Sequence, residues 1–310
     1  MGFLRILESL RTPLGEKLFA AVTQLGGEAV FMAAALLIYW CVSKRLGYYI
    51  FTVGFAGTVC NQTLKLLFRV PRPWVLDPDF SIVESARAAA TGYSFPSGHT
   101  QNIVGTAGAV ALGVRKTWVR AVCVLLMLLV PFSRMYLGVH TPLDVGVSFV
   151  LALGLVVLLW PLFKTDEAFS RCAQRLLACM LALIAAYVVF VYAWPFPENL
   201  DLENYAAGVK NGWSLLGAML GLGIVYRVDT AHTRFDVHAP LPGQLCKLLL
   251  GLGLTAALKA ALKAPLAALF AGHAASNAVR YFLVVLFAGL VWPLSFPFFA
   301  GLGKKKEENR

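Results

Sequence analysis

The chain contains about nine long apolar runs, each of a length suited to crossing a lipid bilayer as a helix. About 17–25 apolar residues span roughly 30 Å of hydrocarbon. The runs lie at 27–42, 47–68, 98–113, 117–134, 142–163, 173–193, 210–226, 243–265 and 279–301. Because 59% of the residues are hydrophobic and only 14% are charged, little sequence remains for a soluble domain. The sequence therefore predicts an all-α, polytopic transmembrane helical bundle with about nine spans.

The apolar runs divide the chain into four segments. In residues 1–26, apolar and charged side chains alternate at helical spacing, which predicts an interfacial N-terminal segment. Residues 27–193 are predicted to form a six-helix core, and residues 194–301 to add further transmembrane helices. Residues 302–310 are predicted to form a basic cytoplasmic tail.

The net charge of +11 is concentrated in short loops on one side of the predicted bundle. Loops rich in Lys and Arg orient membrane helices and face the cytoplasm. The charge pattern thus predicts a cytoplasmic C-terminus, in a bacterial plasma membrane, and does not call for a nucleic-acid partner. The six cysteines lie in or beside apolar runs without a CxxC pair, as small buried residues do. The sequence leaves the oligomeric state open.

Three polar stretches interrupt the apolar pattern, and the order of the spans brings all three to the extracytoplasmic face. They are KLLFRVPRP at 65–73, YSFPSGHT at 93–100 and SRMYLGVHTPLD at 133–144. Charged groups at membrane depth are costly and by default indicate a functional site. We therefore expect these stretches to form one site.

The stretches supply three cations, Lys65, Arg72 and Arg134. Converging cations repel one another unless an anion with several oxygens neutralises them, and the arginine fork is shaped for phosphate. Ser97 stands at a helix N-cap, and Gly98 permits close backbone approach. The helix that follows presents unpaired amide groups, which attract anions. These five residues are predicted to bind phosphate.

Two histidines add reactive groups to this predicted site. His140 precedes a helix that begins at Thr141 and Pro142, and Asp144 lies in its first turn. Asp144 can accept a hydrogen bond from one imidazole nitrogen and leave the other free to attack phosphorus. His99, at the mouth of another helix, can protonate the leaving oxygen. This chemistry needs no cofactor, and these stretches contain no carboxylate cluster suited to a metal.

The arrangement of these residues resembles the signature of a known family. Lys65-x6-Arg72-Pro73, Pro96-Ser97-Gly98-His99 and Ser133-Arg134-x5-His140-x3-Asp144 look like the three parts of the type 2 phosphatidic acid phosphatase superfamily signature. The resemblance implies a catalytic core like that of vanadium haloperoxidases. It also implies that His140 becomes phosphorylated, that Asp144 orients it and that His99 is the general acid. The extra C-terminal helices resemble the glucose-6-phosphatase and sphingosine-1-phosphate phosphatase branches.

The sequence therefore predicts a metal-independent phosphatase acting on a membrane lipid. Isoprenoid pyrophosphates and phosphatidate-like or phosphatidylglycerophosphate-like lipids both qualify, because little extramembrane sequence remains to enclose a soluble substrate. Four alternatives stay open: a sugar-phosphate phosphatase, a lipid phosphotransferase, a vanadium-dependent haloperoxidase and a non-catalytic anion transporter. The first two would use the same chemistry, whereas the apolar spans argue against a haloperoxidase. The complete pair of histidines argues against a transporter.

Three further cations are candidates for binding a lipid headgroup. Arg87 lies in the 69–97 loop, where it could contact a second phosphate or simply be a solvated residue. Lys259 and Lys263 are spaced to share one face near the end of the predicted eighth helix. They could attract an anionic headgroup, or they could extend to the interface as lysines near helix ends commonly do.

Overall fold

The computed structural model describes residues 1–88, 90–197 and 200–302, and the regular elements of that part of the chain are all helical. The α-helices, in chain order, are α1 Gly2–Ser9, α2 Pro13–Gln24, α3 Glu28–Cys41, α4 Lys44–Phe68, α5 Pro73–Leu76, α6 Gly98–Gly113, α7 Thr117–Tyr136, α8 Pro142–Phe163, α9 Asp166–Ala193, α10 Leu202–Val228, α11 Leu241–Ala261, α12 Lys263–Leu269, α13 Ser276–Leu286 and α14 Phe296–Gly301. The predicted all-α class is confirmed for the described residues.

The predicted count of about nine spans is not confirmed. Within the part of the chain that the structure describes, six helical stretches are long and apolar enough to cross a membrane: Thr117–Tyr136, Pro142–Phe163, Asp166–Ala193, Leu202–Thr233, Leu241–Leu269 and Ser276–Gly301. A seventh results if α2 and α3, bent by 48° at their junction, form one broken span. Helices also occur at the other predicted positions. However, α6 has only 16 residues, and α4 carries Asn61, Gln62 and Lys65 among its apolar residues.

The described chain separates into two compact units. The first comprises Met1–Ala34, Tyr49–Phe169 and Val189–Gly208. The second comprises Ala35–Tyr48, Ser170–Val188 and the described residues from Val209 onward. The four predicted segments follow other boundaries and stay a prediction. The predicted tail at 302–310 lies, except for Leu302, outside the described residues.

In the first unit, α6 packs against both α7 and α8. A buried cluster joins the three helices: Ile103, Val104 and Ala107 of α6, Cys123, Met127 and Val130 of α7, and Ala152 of α8. Gly108 permits the close approach of α8, since an added Cβ would lie 3.2 Å from Val156. Short connections at 114–116 and 137–141 make consecutive helices antiparallel. The start of α6, the end of α7 and the start of α8 therefore meet at one end of the unit.

In the second unit, α11 packs against α12, α13 and α14. The Trp40 indole donates a 2.9 Å hydrogen bond to the carbonyl of Ala288. Lys44 forms a 2.7 Å salt bridge with Asp229 and lies 3.8 Å from the ring centre of Phe235. These three polar side chains are thus paired inside the unit.

The contact between α3 and α4 predicts which glycine substitution destabilises the first unit. A Cβ added to Gly54 would lie 2.7 Å from Cε2 of the Phe31 ring, a buried and rigid neighbour. We expect Gly54→Ala to lower the unfolding free energy by about 1–3 kcal/mol through overpacking. Gly154→Ala is the matched control, because its added Cβ meets no atom within 4 Å and alanine favours helix. In thermal unfolding in detergent, Gly54→Ala should have a lower midpoint than Gly154→Ala. Equal midpoints would contradict the packing of Gly54 against Phe31.

Candidate active site

The N-terminus of α6 is fixed by hydrogen bonds to α8. Ser97 is its N-cap, as predicted, and its Oγ accepts from the amide of Thr100 at 3.4 Å. The Ser97 amide donates to the carbonyl of Asp144 at 3.1 Å, and the Ser148 hydroxyl donates to the Ser97 carbonyl at 2.7 Å. Gly98 follows, with no atom within 4 Å of where a Cβ would be. The first turn of α6 therefore borders open space, and half-buried His99 lies in that turn.

His140 and Asp144 lie at the start of α8, where the predicted cap is confirmed. Thr141 is the N-cap and forms a capping box with Asp144, whose Oδ2 accepts from the Thr141 amide at 2.7 Å. The same oxygen lies 3.4 Å from Nδ1 of His140 and accepts from the Ser94 hydroxyl at 2.5 Å. His140 and Asp144 are each only 1% exposed. Asp144 thus links the helix cap to the imidazole.

Arg72 contacts the other nitrogen of His140. Its Nη1 lies 2.9 Å from Nε2 of His140, and the guanidinium also donates to the carbonyls of Thr91, Gly92 and Val139. A guanidinium has only donors, so Nε2 is the acceptor. The proton of a neutral His140 is then on Nδ1, facing Asp144.

Arg134 and Lys65 provide the other two cations. Arg134 is 0% exposed, and its Nη1 donates to the Thr23 hydroxyl at 2.9 Å. Its Nε and Nη2 are buried with no hydrogen-bond partner among the described residues. Lys65 is buried and donates to the carbonyl of Tyr93. The site therefore holds unused donors on a buried cation, an arrangement expected to bind an oxyanion.

The cations also set the charge state of His140. Burial lowers the pKa of His140 well below its ordinary value, and the charges of Arg72, Arg134 and Lys65 lower it further. Burial lowers the pKa of Arg72 to about 10, against the opposing effect of Asp144. Arg72 therefore stays charged at neutral pH while His140 stays neutral. A neutral imidazole has the free lone pair that a nucleophile needs.

Two of the three candidate headgroup residues, Arg87 and Lys259, lie in other contacts. Arg87 forms two hydrogen bonds with Glu84, at 2.7 and 2.8 Å, and lies over the Trp74 ring. Lys259 lies over the Tyr281 ring, with 5.1 Å from its Nζ to the ring centre. Lys259 lies in the last turn of α11 and Lys263 is the first residue of α12, with Leu262 between the two helices. Their proposed role at a lipid headgroup stays a prediction.

Two residues of the site were missed by sequence reasoning. Ser94 lies within the quoted YSFPSGHT stretch, but a hydroxyl three residues before an N-cap is not distinguished by pattern. Thr23 is the buried residue of α2, far from the three stretches in sequence. Nearby, Gly26 lies so close to α6 that an added Cβ would be 2.8 Å from the His99 carbonyl. Only the packing of α2 against α7 reveals the contact between Thr23 and Arg134.

Comparison with known families gives two matches along the chain. Residues 45–168 match the PAP2 superfamily. Residues 213–305 match the transmembrane extension of PAP2 superfamily phosphatases. The predicted catalytic and phosphate-binding residues all lie within the first match, whereas Thr23 lies outside both.

Individual proteins and structures show similarity over part of their length. Undecaprenyl-diphosphatase BcrC of Bacillus subtilis is 33% identical over 128 residues, covering 40% of this chain and 63% of that protein. Dihydrosphingosine 1-phosphate phosphatase C823.11 of Schizosaccharomyces pombe is 24% identical over 251 residues, covering 76% of this chain and 58% of that protein. The chain thus spans less than two thirds of each curated relative. The crystal structure of Aquifex aeolicus LpxE matches with a TM-score of 0.46 and 26% identity, over 51% of this chain and 92% of that one.

The Thr23–Arg134 hydrogen bond predicts a measurable effect on anion binding. Thr23→Val keeps the shape of the side chain but removes the acceptor, so the buried guanidinium loses its described side-chain partner. We expect inorganic phosphate to bind about tenfold more weakly, the cost of losing a hydrogen bond to a charged group. Thr23→Ser, which keeps the hydroxyl, should bind as the wild type does. Isothermal titration calorimetry in detergent measures phosphate affinity for the three proteins. If Thr23→Val binds phosphate as tightly as the wild type, the Thr23 hydroxyl has no role in anion binding.

Proposed function

We propose that the chain acts as a membrane phosphatase on a lipid phosphate or pyrophosphate. The proposal starts from its membership of the PAP2 superfamily. One observation carries the proposal. His140 is buried with one ring nitrogen facing Asp144 and the other beside Arg72, while the unused donors of Arg134 are available to phosphate oxygens. This geometry suits transfer of a phosphoryl group to Nε2.

In the proposed first step, Arg72 transfers its hydrogen bond from Nε2 of His140 to a phosphate oxygen, and the freed Nε2 lone pair attacks the terminal phosphorus of the substrate. A P–N bond forms as the P–O bond to the leaving group breaks, and His99, in its protonated form, donates a proton to the leaving oxygen. The negative charge of the bound phosphate favours that protonated form because it offsets the surrounding cations. Asp144 stabilises the positive charge that develops on the ring through Nδ1. The negative charge on the equatorial phosphate oxygens redistributes during this step. These oxygens are held by Lys65, Arg72, Arg134, Ser97 and the amide of Gly98.

In the second step, water hydrolyses the phosphohistidine. His99, now neutral, takes a proton from the attacking water, the P–N bond breaks, and inorganic phosphate leaves with His140 restored. Each step balances without a cofactor. Among the described residues, no group of three or more His, Cys, Asp or Glu could hold a metal; the cations occupy the place where phosphate charge must be neutralised. We therefore propose metal-independent hydrolysis.

The proposed substrate is a lipid because the site lies where α6 and α8 begin and α7 ends. These helices belong to a multi-pass integral membrane protein, and several of their large apolar side chains are exposed, including Leu125, Leu128 and Val150. The relatives are named for undecaprenyl diphosphate and dihydrosphingosine 1-phosphate. We propose an isoprenoid pyrophosphate first, and phosphatidate-like or phosphatidylglycerophosphate-like lipids second.

The proposed location is a bacterial plasma membrane with the site on the extracytoplasmic face. The concentration of Lys and Arg in short loops favours a cytoplasmic position for those loops and for the C-terminus, and therefore the opposite face for the site. A site on that face would release phosphate outside the cell.

The proposed activity is tested by phosphate release from purified protein in detergent with EDTA present. The substrates are undecaprenyl pyrophosphate, phosphatidate, phosphatidylglycerophosphate, sphingosine-1-phosphate and glucose-6-phosphate, and His140→Ala is measured beside the wild type. We expect release that favours a lipid and falls by at least about a thousandfold in the variant, as when a nucleophile is removed. Preference for glucose-6-phosphate would indicate a sugar-phosphate phosphatase. No release, or equal release by the variant, would overturn the proposal and favour an anion transporter or a phosphotransferase.

The lowered pKa of His140 predicts the pH dependence of kcat/KM, which reports ionisations of the free enzyme. Because cations and burial keep the ring neutral, its protonation should reduce activity only well below the ordinary histidine pKa of about 6.5. Arg72→Gln removes the cation that contacts the ring, so its acid limb should move to higher pH. The substrate has the same ionisations in both experiments. The difference between the two pH profiles of kcat/KM therefore reports ionisation of the enzyme alone. Coincident acid limbs would contradict the electrostatic account.

A further inference from the structure

The turn that carries His140 begins where α7 ends, and its hydrogen bonds identify the cap of that helix. Gly138 has a φ of +80°, and its amide donates to the carbonyl of Met135 at 3.0 Å. The amide of Val139 donates to the carbonyl of Arg134 at 3.1 Å. These two bonds and the left-handed glycine form a Schellman motif. His140 follows Val139 directly, so the geometry of this cap determines where the backbone of His140 lies.

The Schellman motif leaves the carbonyls of Tyr136 and Leu137 without partners inside the helix. Two other segments of the first unit provide the donors. Nε of Arg11 donates to the Tyr136 carbonyl at 2.9 Å, and the amide of Val83 donates to the Leu137 carbonyl at 3.1 Å. Arg11 lies between α1 and α2, and Val83 lies in the loop between α5 and α6. Residues distant in sequence therefore complete the end of α7.

Arg11 also connects that helix end to the loop that contains Val83. Its Nη1 donates to the carbonyl of Ser81 at 2.7 Å, and its guanidinium lies over the Phe80 ring, 5.3 Å from the ring centre. The same two side chains cover Gly138. A Cβ added there would lie 2.6 Å from Nη2 of Arg11 and 2.9 Å from the Phe80 ring. Arg11 is thus packed directly against the glycine on which the cap depends.

We propose that Arg11 is a positioning residue for His140. The inference rests on the proposed function and adds to it a residue outside the family match at 45–168. Arg11 acts through the Tyr136 carbonyl and the turn at Gly138, by holding the end of α7 in place. A displacement of about 1 Å can cost roughly 100-fold in rate. A cap held by Arg11 therefore keeps the attacking nitrogen in line with the phosphorus.

Arg5 of α1 provides a matched control. Its Nη2 forms a 2.6 Å salt bridge with Asp77, and its guanidinium lies over the same Phe80 ring, 5.5 Å from the ring centre. Among the described residues, its hydrogen bonds go to oxygens of α1 and of the same loop, and none goes to the end of α7. Arg5→Gln therefore removes a cation from the N-terminal segment without freeing the Tyr136 carbonyl.

The test measures kcat and KM for farnesyl pyrophosphate, and calorimetric binding of inorganic phosphate, in one detergent. We expect Arg11→Gln to lower kcat by about tenfold or more, because it frees the Tyr136 carbonyl and lets the nucleophile shift. Its affinity for phosphate should equal that of the wild type, because the Arg134 guanidinium is held by Thr23. Arg5→Gln should keep the wild-type kcat. Unchanged kcat in Arg11→Gln, an equal fall of kcat in both variants, or a fall explained by weaker phosphate binding would overturn the proposal.

A measurement without turnover separates this proposal from the proposed function. It is hydrogen–deuterium exchange of the peptide that contains Gly138 and Val139, which reports local opening of the turn. If the wild type releases no phosphate from any substrate, the proposed function fails. Faster exchange of this peptide in Arg11→Gln than in Arg5→Gln would then support the role of Arg11 in fixing the turn, and equal exchange would overturn it.

A second variant separates the proposal from misfolding. If Arg11→Gln does not fold, Arg11→Lys retains the charge but lacks the planar fork that bonds two carbonyls at once. It should show a smaller loss of kcat with wild-type phosphate affinity. Wild-type kcat in Arg11→Lys would then overturn the proposal.

Discussion

Three buried cations around one imidazole are the constraint on which the rest of the site depends. Arg134 is 0% exposed, His140 is 1% exposed, and Asp144 is the carboxylate whose charge partly offsets Arg72 and Lys65. Burying charge without compensation is costly, so a site of this kind is organised for an anion that arrives with the substrate. Burial, together with the same excess of positive charge, keeps His140 neutral. Binding and nucleophilicity therefore have one electrostatic origin.

The fold meets this constraint by bringing three helix ends together. Antiparallel packing of α6 between α7 and α8 places Ser97, Arg134 and His140 at one end of the first unit. The Asp144 capping box and the Ser97–Asp144 backbone bond then fix the two helix starts relative to each other. The positions of the proposed phosphate-binding amides, nucleophile and orienting carboxylate thus depend on a few local hydrogen bonds. Such preorganisation is where electrostatic catalysis gains most.

The sequence alone predicted those features that are determined by residues close together in the chain. Ser97 and Thr141 were identifiable as N-caps from residue type and from the helices that follow, and the spacing of His140 and Asp144 gave their common turn. Thr23 could not be found in this way, because its contact with Arg134 depends on how α2 packs against α7. The number of spans is not confirmed for a related reason. Hydropathy finds apolar helices but does not distinguish a full span from the short α6 or from the bend between α2 and α3.

The account's central claim is that Nε2 of His140 accepts the phosphoryl group, and trapping the intermediate tests it most directly. Wild-type protein and His140→Asn are mixed with a substrate labelled in its terminal phosphate, quenched rapidly in base, and mapped by mass spectrometry. The account predicts a phosphoramidate on His140 that is stable in base and lost in acid, and no label in the variant. A label on another residue, or one that persists in His140→Asn, would contradict it.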